Sequence, residues 1–440
     1  MTLKHVIENK VVKNASWIIL CKIVRAALSL VITMMTARYF GPSNFGIISY
    51  AAAIVAFAEP VMQLGLNNTL VREIINAPEN EGKILGTSVF MSFLSAIACI
   101  IGIFVFSSIA EAGNTECIIV CVLYSTCLLF QAVELLQYWF WSRYLSKYTS
   151  ITSLFGYFIA SIYKFFLLAT NKKIYWFALA NAFDFCIIAV ILLLLYRKLG
   201  GSKLEISIPI GKQLLSRSHY YILSTLMVTI FAQIDKVMIK LMIGEAANGY
   251  YSASVSAANM TGFVFAAIID SMRTAILEAH KDNREVFESR MITLYSIIIW
   301  LSLLQSLSMT ILSRFIITII YGAEYLAAVS SLRIIVWYTT FAYLGAIRNI
   351  WILAEEKQKY LWIINMCGAL GNVVMNAILI PLMGIEGAAV ASLLTQFFAN
   401  VIMGYIIKPI SPNNRLMVKG INPYYLIKAS KQIFASGAER

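Results

Sequence analysis

Residues 41–53 read GPSNFGIISYAAA, and residues 244–256 read GEAANGYYSASVS. Each has a Gly, four residues, a second Gly, two large apolar residues, a Ser and then a run rich in small residues. The first Gly is suited to end a helix at positive φ, and the second lets the next helix start close by. The Ser and Ala that follow allow helices to approach closely. The stretches lie 203 positions apart in a chain of 440 residues. Either one turn recurs by chance, or the chain is two copies of one unit.

Composition decides where those helices sit. The chain is 60% hydrophobic and 13% charged, with a mean hydropathy of +0.77. A soluble domain carries about twice that charge. Apolar side chains in this proportion need a bilayer, and the apolar runs, each roughly 20 residues, are helix-length rather than the short alternating segments of a barrel. Twelve spans are predicted, near 15–39, 45–66, 84–108, 116–138, 150–170, 174–196, 217–243, 247–269, 291–312, 329–352, 360–381 and 385–407. The basic start MTLKHVIENKVVKNAS is read as a cytoplasmic tail before a retained helix rather than a cleaved leader.

Basic residues set the topology. With the tail, every second loop and the C-terminal segment on one side, Lys and Arg divide about 23 against 6, which places both termini in the cytoplasm. The net charge of +13 is then positive-inside bias and contact with anionic lipid. No basic–aromatic reader motif accompanies it, so nucleic acid is not an expected partner. The seven Cys are scattered through apolar runs, and the three His show no metal-ligand spacing. No phosphate loop, dinucleotide fingerprint or Ser/His/Asp arrangement is present, so the chain is not read as an enzyme, and neither a metal nor a cofactor is expected.

The paired turns now acquire a place. The first joins spans one and two, the second spans seven and eight, and both fall on the outer side. Residues 197–213, RKLGGSKLEISIPIGKQ, are polar and basic, as a linker between two sets would be. The expected architecture is all-α: a six-helix bundle over 1–196, a cytoplasmic linker at 197–213, a second bundle over 214–407 and a basic tail over 408–440. Six is even, so the repeat is parallel, related by an axis along the membrane normal. A V-shaped pair of bundles around a central cavity suits alternating access.

Ionisable residues inside spans cost free energy and are functional candidates. The basic set is Lys22, Arg25, Lys164, Arg333 and Arg348; the acidic set is Glu59, Glu134, Asp184 and Asp235. Lys22 and Arg25 lie three apart on one face, roughly 12–17 Å of rise in from Asn14. Each reads as a cavity group or as a snorkelling or structural one. Glu59 precedes Pro60, which is expected to kink span two. It reads as a proton or cation site, or as an acid satisfied by a neighbouring Lys. Asp235 is an ion-coupling group or half of an interhelical pair. Basic groups are at least as numerous as acidic ones, which suits an anionic substrate.

Three segments carry a family resemblance: ARYFGPSNFGIISYA at 37–51, FAQIDKVMIKLMIGEAANGYYSAS at 231–254, and NAILIPLMGIEGAAVASLLTQ at 376–396. They resemble the polysaccharide-biosynthesis flippases, the O-antigen and exopolysaccharide repeat-unit translocases of the multidrug/oligosaccharidyl-lipid/polysaccharide exporter superfamily. The resemblance implies movement of an undecaprenyl-diphosphate-linked oligosaccharide from the inner to the outer leaflet of a bacterial inner membrane. It implies coupling to a proton or sodium gradient and, as partners, membrane lipids, the lipid-linked glycan, a polysaccharide polymerase and chain-length machinery. Lys22, Arg25, Lys164, Arg348 and Arg333 would then hold the diphosphate or anionic glycan. Glu59, Asp184 and Asp235 would couple the ion. Trp139, Trp141, Tyr144 and Trp351 would contact sugar or anchor the interface. A multidrug exporter of the same superfamily is the rival reading, and would want an acidic cavity. A membrane-bound polymerase or ligase would need a large outer loop, and the outer loops here are short.

Overall fold

The structure is a computed structural model; it describes the backbone of residues 10–427 and the side chains of Cys21 and residues 23–427. The described residues are helical almost throughout and hold no strand. The chain folds as two compact units, Met1–Gln233 and Ile234–Arg440.

Unit one opens with α1, Lys10–Met62, which Gly41 breaks into two arms. Gly41 has φ 68° and ψ 178°, a backbone state closed to L-residues with a Cβ. Pro42 follows it at the start of the second arm, where its missing N–H costs nothing. Pro60 does not kink that arm, because it falls in the last turn: the helix stops at Met62, and Leu64 and Gly65 both take positive φ. Helix α2, Leu70–Asn76, is short. Helix α3 is Glu81–Ala110. The predicted fourth span is three pieces, α4 Thr115–Ser125, α5 Cys127–Glu134 and α6 Gln137–Ser142. At the first break, Ser125 and Thr126 hydroxyls donate to the carbonyls of Val122 and Leu123 at 2.7 and 2.6 Å, and such back-bonding bends helices. Helices α7, Ser146–Ala169, and α8, Ile174–Lys198, complete the unit. The arms of α1 pack against α3, α4 and α7, and α8 packs against α4, α5 and α7.

The predicted linker is irregular only over residues 199–207. It lies as a strap along the first turns of α3. The Ser202 amide and hydroxyl donate to Glu81 Oε1 at 3.2 and 2.6 Å. The Glu205 amide donates to the Gly82 carbonyl at 3.1 Å, and the Ser207 amide to Thr87 Oγ1 at 2.9 Å. Glu81 Oε2 accepts from Trp139 Nε1 at 3.1 Å and Arg143 at 2.7 Å. A Cβ on Gly82 would run into the Lys203 carbonyl oxygen. Helix α9, Ile208–Met242, is a single 35-residue helix. Its start is fixed to unit one by Arg217, 2.7 Å from Glu73, and by the Ser218 hydroxyl, 2.7 Å from the Leu64 carbonyl. The division between units therefore falls inside α9, after Gln233.

Unit two repeats the opening turn. Gly244, at φ 134° and ψ −175°, separates α9 from α10, Glu245–Ala258. A 42° bend joins α10 to α11, Gly262–Asp282. Helices α12, Arg284–Ile320, α13, Ala328–Ala354, α14, Lys359–Met383, and α15, Ile385–Phe397, follow. Two further turns use Gly in the same way, Gly322 at φ 96° and ψ 172° and Gly384 at φ 64° and ψ −137°. A π turn at Phe398–Ile402 leads into α16, Met403–Ile406; α17, Ser411–Gly420, follows, and residues 423–427 are helical again. The small residues after Gly244 pack as expected: the Ser254 hydroxyl on α10 donates to the Ala328 carbonyl at 2.9 Å and meets the Ser331 hydroxyl at 2.6 Å.

Among the described residues, nine helices are long and apolar enough to cross a membrane, or ten with the bent α10–α11 pair. One of the nine runs from Ile23 to Met62 and is two arms about Gly41. Helix α13, with 27 residues, is also of spanning length. The twelve predicted segments thus all correspond to helices.

Candidate functional site

In unit one, spans that are remote in sequence bring their charges together. Arg25 Nη2 lies 3.4 Å from Asp184 Oδ2, joining the first arm of α1 to α8. Its Nη1 donates to the Ser153 hydroxyl on α7. The guanidinium also lies 5.0 Å from the ring centroid of Tyr157, one turn along α7. Lys164 approaches the same ring at 5.9 Å and is in electrostatic reach of Asp184. Glu134 on α5 is in electrostatic reach of Arg25, Asp184 and Glu59. Asp184 is buried, and its Oδ1 has no hydrogen-bond partner. Glu59 accepts from Gln63 Nε2, one turn on, at 3.0 Å.

The helical repeat explains why α7 serves this cluster. Ser146, Ser150, Ser153, Tyr157 and Lys164 recur near one face at 100° per residue. At the α1–α6–α7 end of the unit this face borders a cavity of about 380 Å³ whose lining includes Arg25, Trp141, Ser146, Thr149, Ser150 and Ser153. Trp141 is 44% exposed. Trp139 and Trp351, by contrast, are fully buried, and Tyr144 is exposed.

In unit two, Asp235 sits in a cage of neutral donors. Tyr251 Oη on α10 donates to Oδ2 at 2.6 Å, and Asn376 Nδ2 on α14 to Oδ1 at 2.6 Å. The Ser392 hydroxyl on α15 also donates to Oδ2. Behind them, Asn376 Nδ2 reaches Asn372 Oδ1 at 3.1 Å, and Asn372 Nδ2 reaches Thr395 Oγ1 at 3.4 Å. Asp235 is 7% exposed, and Asn372 and Asn376 are fully buried. Asn376 Oδ1 has no partner. A buried carboxylate ringed by reorientable amides and hydroxyls is suited to hold a proton or a small cation.

The other predicted groups stand apart from both clusters. Arg348 on α13 is buried and donates to the Ala399 carbonyl at 2.8 Å, an oxygen within the π turn. Its Nε has no partner. Arg333, near the start of α13, is exposed and donates from Nε to the Ser313 hydroxyl at 2.9 Å. The side chain of Lys22 lies outside the described residues.

Ser153, Tyr157, Asn376 and Ser392 were not singled out by the sequence. One signal was available: Asn372 and Asn376 lie one turn apart in an apolar span, and paired amides there need partners. The serines and tyrosine carry no comparable signal, because such residues are common in spans.

Residues 11–272 match the family described as "Polysaccharide biosynthesis protein". No curated protein matches the chain in sequence. Among solved structures the chain is similar to the lipid II flippase MurJ in an inward closed conformation, with a TM-score of 0.74 and 15% identity over 93% of this chain and 92% of that one. It is similar to a multidrug resistance MATE family transporter of the MOP superfamily in an inward-facing conformation, with a TM-score of 0.67 and 12% identity over 89% and 96%. The eukaryotic MATE transporter AtDTX14 gives a TM-score of 0.60 and 13% identity over 93% and 98%. At these identities the likeness to the solved structures is one of fold. The match over more than half of its length makes this chain a member of the polysaccharide biosynthesis protein family.

Proposed function

We propose that the protein is a flippase that moves an undecaprenyl-diphosphate-linked oligosaccharide, an O-antigen or related repeat unit, from the inner to the outer leaflet by alternating access. The observation that carries this reading is Arg25, held by Asp184 and Ser153 at the wall of a cavity in unit one. A cation so placed among apolar spans suits the anionic part of a lipid-linked glycan. Lys164 extends the cationic character along α7, and Lys22, Arg333 and Arg348 are further contacts in this reading. Asp235 is the ion-coupling group, exchanging a proton or sodium within its cage, with Glu59 and Asp184 as the acids of unit one. The protein works in the bacterial inner membrane with both termini in the cytoplasm, and hands its cargo to a polymerase and chain-length machinery.

The test is translocation in proteoliposomes, read by the fraction of a fluorescent lipid-linked glycan that an external quencher reaches. Arg25→Ala and Lys164→Ala are each expected to slow translocation about tenfold, the loss of one charge-assisted contact, with membrane insertion unchanged. Wild-type rates in both variants would overturn the cationic reading.

One observation favours the rival, a multidrug exporter driven by antiport. Among the described residues of the unit-one cluster, three carboxylates (Glu59, Glu134, Asp184) share the interior with two cations, Arg25 and Lys164. Efflux of lipophilic cations by the same proteoliposomes, without glycan movement, would select that reading.

A further inference from the structure

The unit-one cavity has features that the Arg25–Asp184 pair does not explain. It combines an aromatic plate with a ladder of hydroxyls. Trp141 Nε1 donates to Thr149 Oγ1 at 3.2 Å, and its ring meets Tyr138 edge-on with centroids 5.0 Å apart. The indole is therefore fixed in orientation, while 44% of the residue stays exposed. The ladder is partly engaged in a way that leaves defined valences. The Ser150 hydroxyl donates to the Ser146 carbonyl at 3.1 Å, so its oxygen lone pairs are left to accept. The Ser153 oxygen accepts from Arg25, so its own hydrogen is left to donate. Among the described residues, Arg25 is the one charged group in the lining, and Asp184 already balances it.

The part of the lining beyond Arg25 has a different use. It is a good match for a sugar ring. A pyranose is uncharged, presents hydroxyls that both donate and accept, and has an apolar C–H face that lies flat on an aromatic ring. The cavity volume, about 380 Å³, falls in the range of small-ligand sites.

We propose that this cavity is a carbohydrate subsite: a pyranose of the lipid-linked glycan lies on Trp141, with Ser146, Ser150 and Ser153 reading its hydroxyls, next to the anionic part at Arg25. The proposal rests on the flippase reading above and narrows it. Arg25 also positions the Ser153 hydroxyl as a donor. Trp141 is then a specificity determinant and not an interfacial anchor.

The experiment uses the purified full-length protein and native mass spectrometry with two probes. One is the undecaprenyl-diphosphate-linked glycan extracted from cells that make it; the other is undecaprenyl diphosphate without sugar. Wild type is expected to bind the glycan lipid more tightly than the bare lipid. Trp141→Leu is expected to weaken the glycan lipid about tenfold and leave the bare lipid unchanged, whereas Trp141→Phe, which keeps a plate, retains most of the affinity. Ser150→Ala, a change too small to threaten folding, is expected to weaken only the glycan lipid, by about threefold. Equal affinity of wild type for both lipids overturns the subsite. So does a loss in Trp141→Leu and Ser150→Ala that is the same for both lipids, or no loss in either variant. Wild type that binds neither lipid overturns the flippase reading itself, and the subsite with it.

Discussion

Arg25 and Asp184 meet from 159 positions apart, and each needs the other. A carboxylate as buried as Asp184 is costly without a cation, so removing Arg25 should destabilise more than removing both. In a thermal-unfolding cycle in detergent, Arg25→Ala, Asp184→Ala and the double variant are expected to show a coupling of about 1–3 kcal/mol; additive losses would contradict the pairing. For Asp235 the informative change is Asp235→Asn, which keeps shape and part of the hydrogen bonding from Tyr251, Ser392 and Asn376. Assembly is expected to survive, while transport falls about tenfold or more and stops responding to an imposed proton or sodium gradient. A variant that still follows the gradient would remove Asp235 from coupling. Both residues were legible in the sequence, because a charge in an apolar run stands out by its cost. Their partners were not. Arg25 and Asp184 are fixed by how helices pack, and neither the spacing in α1 nor that in α8 encodes the register between them. The same holds for Arg348, which the sequence leaves as a cavity group or an interface one, and whose partner, the Ala399 carbonyl within a π turn, no spacing announces.

At the scale of elements, turns decide the architecture. Gly41, Gly244 and Gly322 share a backbone state that is essentially reserved for glycine, with φ between 68° and 134° and an extended ψ. Around Gly244 a Cβ would meet nothing within 4 Å, so strain is the whole effect of a substitution there. Gly244→Ala is expected to lower unfolding stability by about 1–3 kcal/mol, read by denaturant titration in detergent. A neutral outcome would show that the turn tolerates another path. The sequence revealed two of these turns through the spacing of their paired glycines. It did not reveal those at Gly322 and Gly384, which lack that spacing. Breaks inside spans four and eight were equally silent, because neither contains Pro and the bends come from Ser and Thr hydroxyls or from packing. The strap over 199–207 belongs to this scale too. Gly82→Ala would push the Lys203 carbonyl away from α3, at a cost of about 1–3 kcal/mol. Trypsin is expected to cut such a variant after Lys203 faster than wild type; equal cutting would mean that the strap is held by other contacts.

For the whole molecule, the positive-inside count predicts an orientation that labelling can check. With the native cysteines replaced, Lys203→Cys should react only with a reagent supplied to the cytoplasmic side, and Asn114→Cys only with one supplied outside. The opposite pattern would invert the topology. The all-α class and the twelve helical segments were legible because composition and run length are properties of the sequence itself. The division of the chain after Gln233 was not, since it depends on which neighbours hold each end of α9. Residues 208–218 of that helix are bound to the loop and helix before α3, and Asp235 and its surroundings are bound to α10, α14 and α15.

The strap also has a consequence for how the protein is made. Its partners, Glu81, Gly82, Thr87 and Tyr196, all precede it in the chain. Nothing in the second unit is needed to close it. The first six segments can therefore be fastened into their finished arrangement while the ribosome is still translating the rest, as domains of long chains commonly are. A fragment that ends at Gln233 and has been released from the ribosome should therefore show residues 199–207 protected from protease, and ready cleavage there would mean that the second half is needed to close the strap.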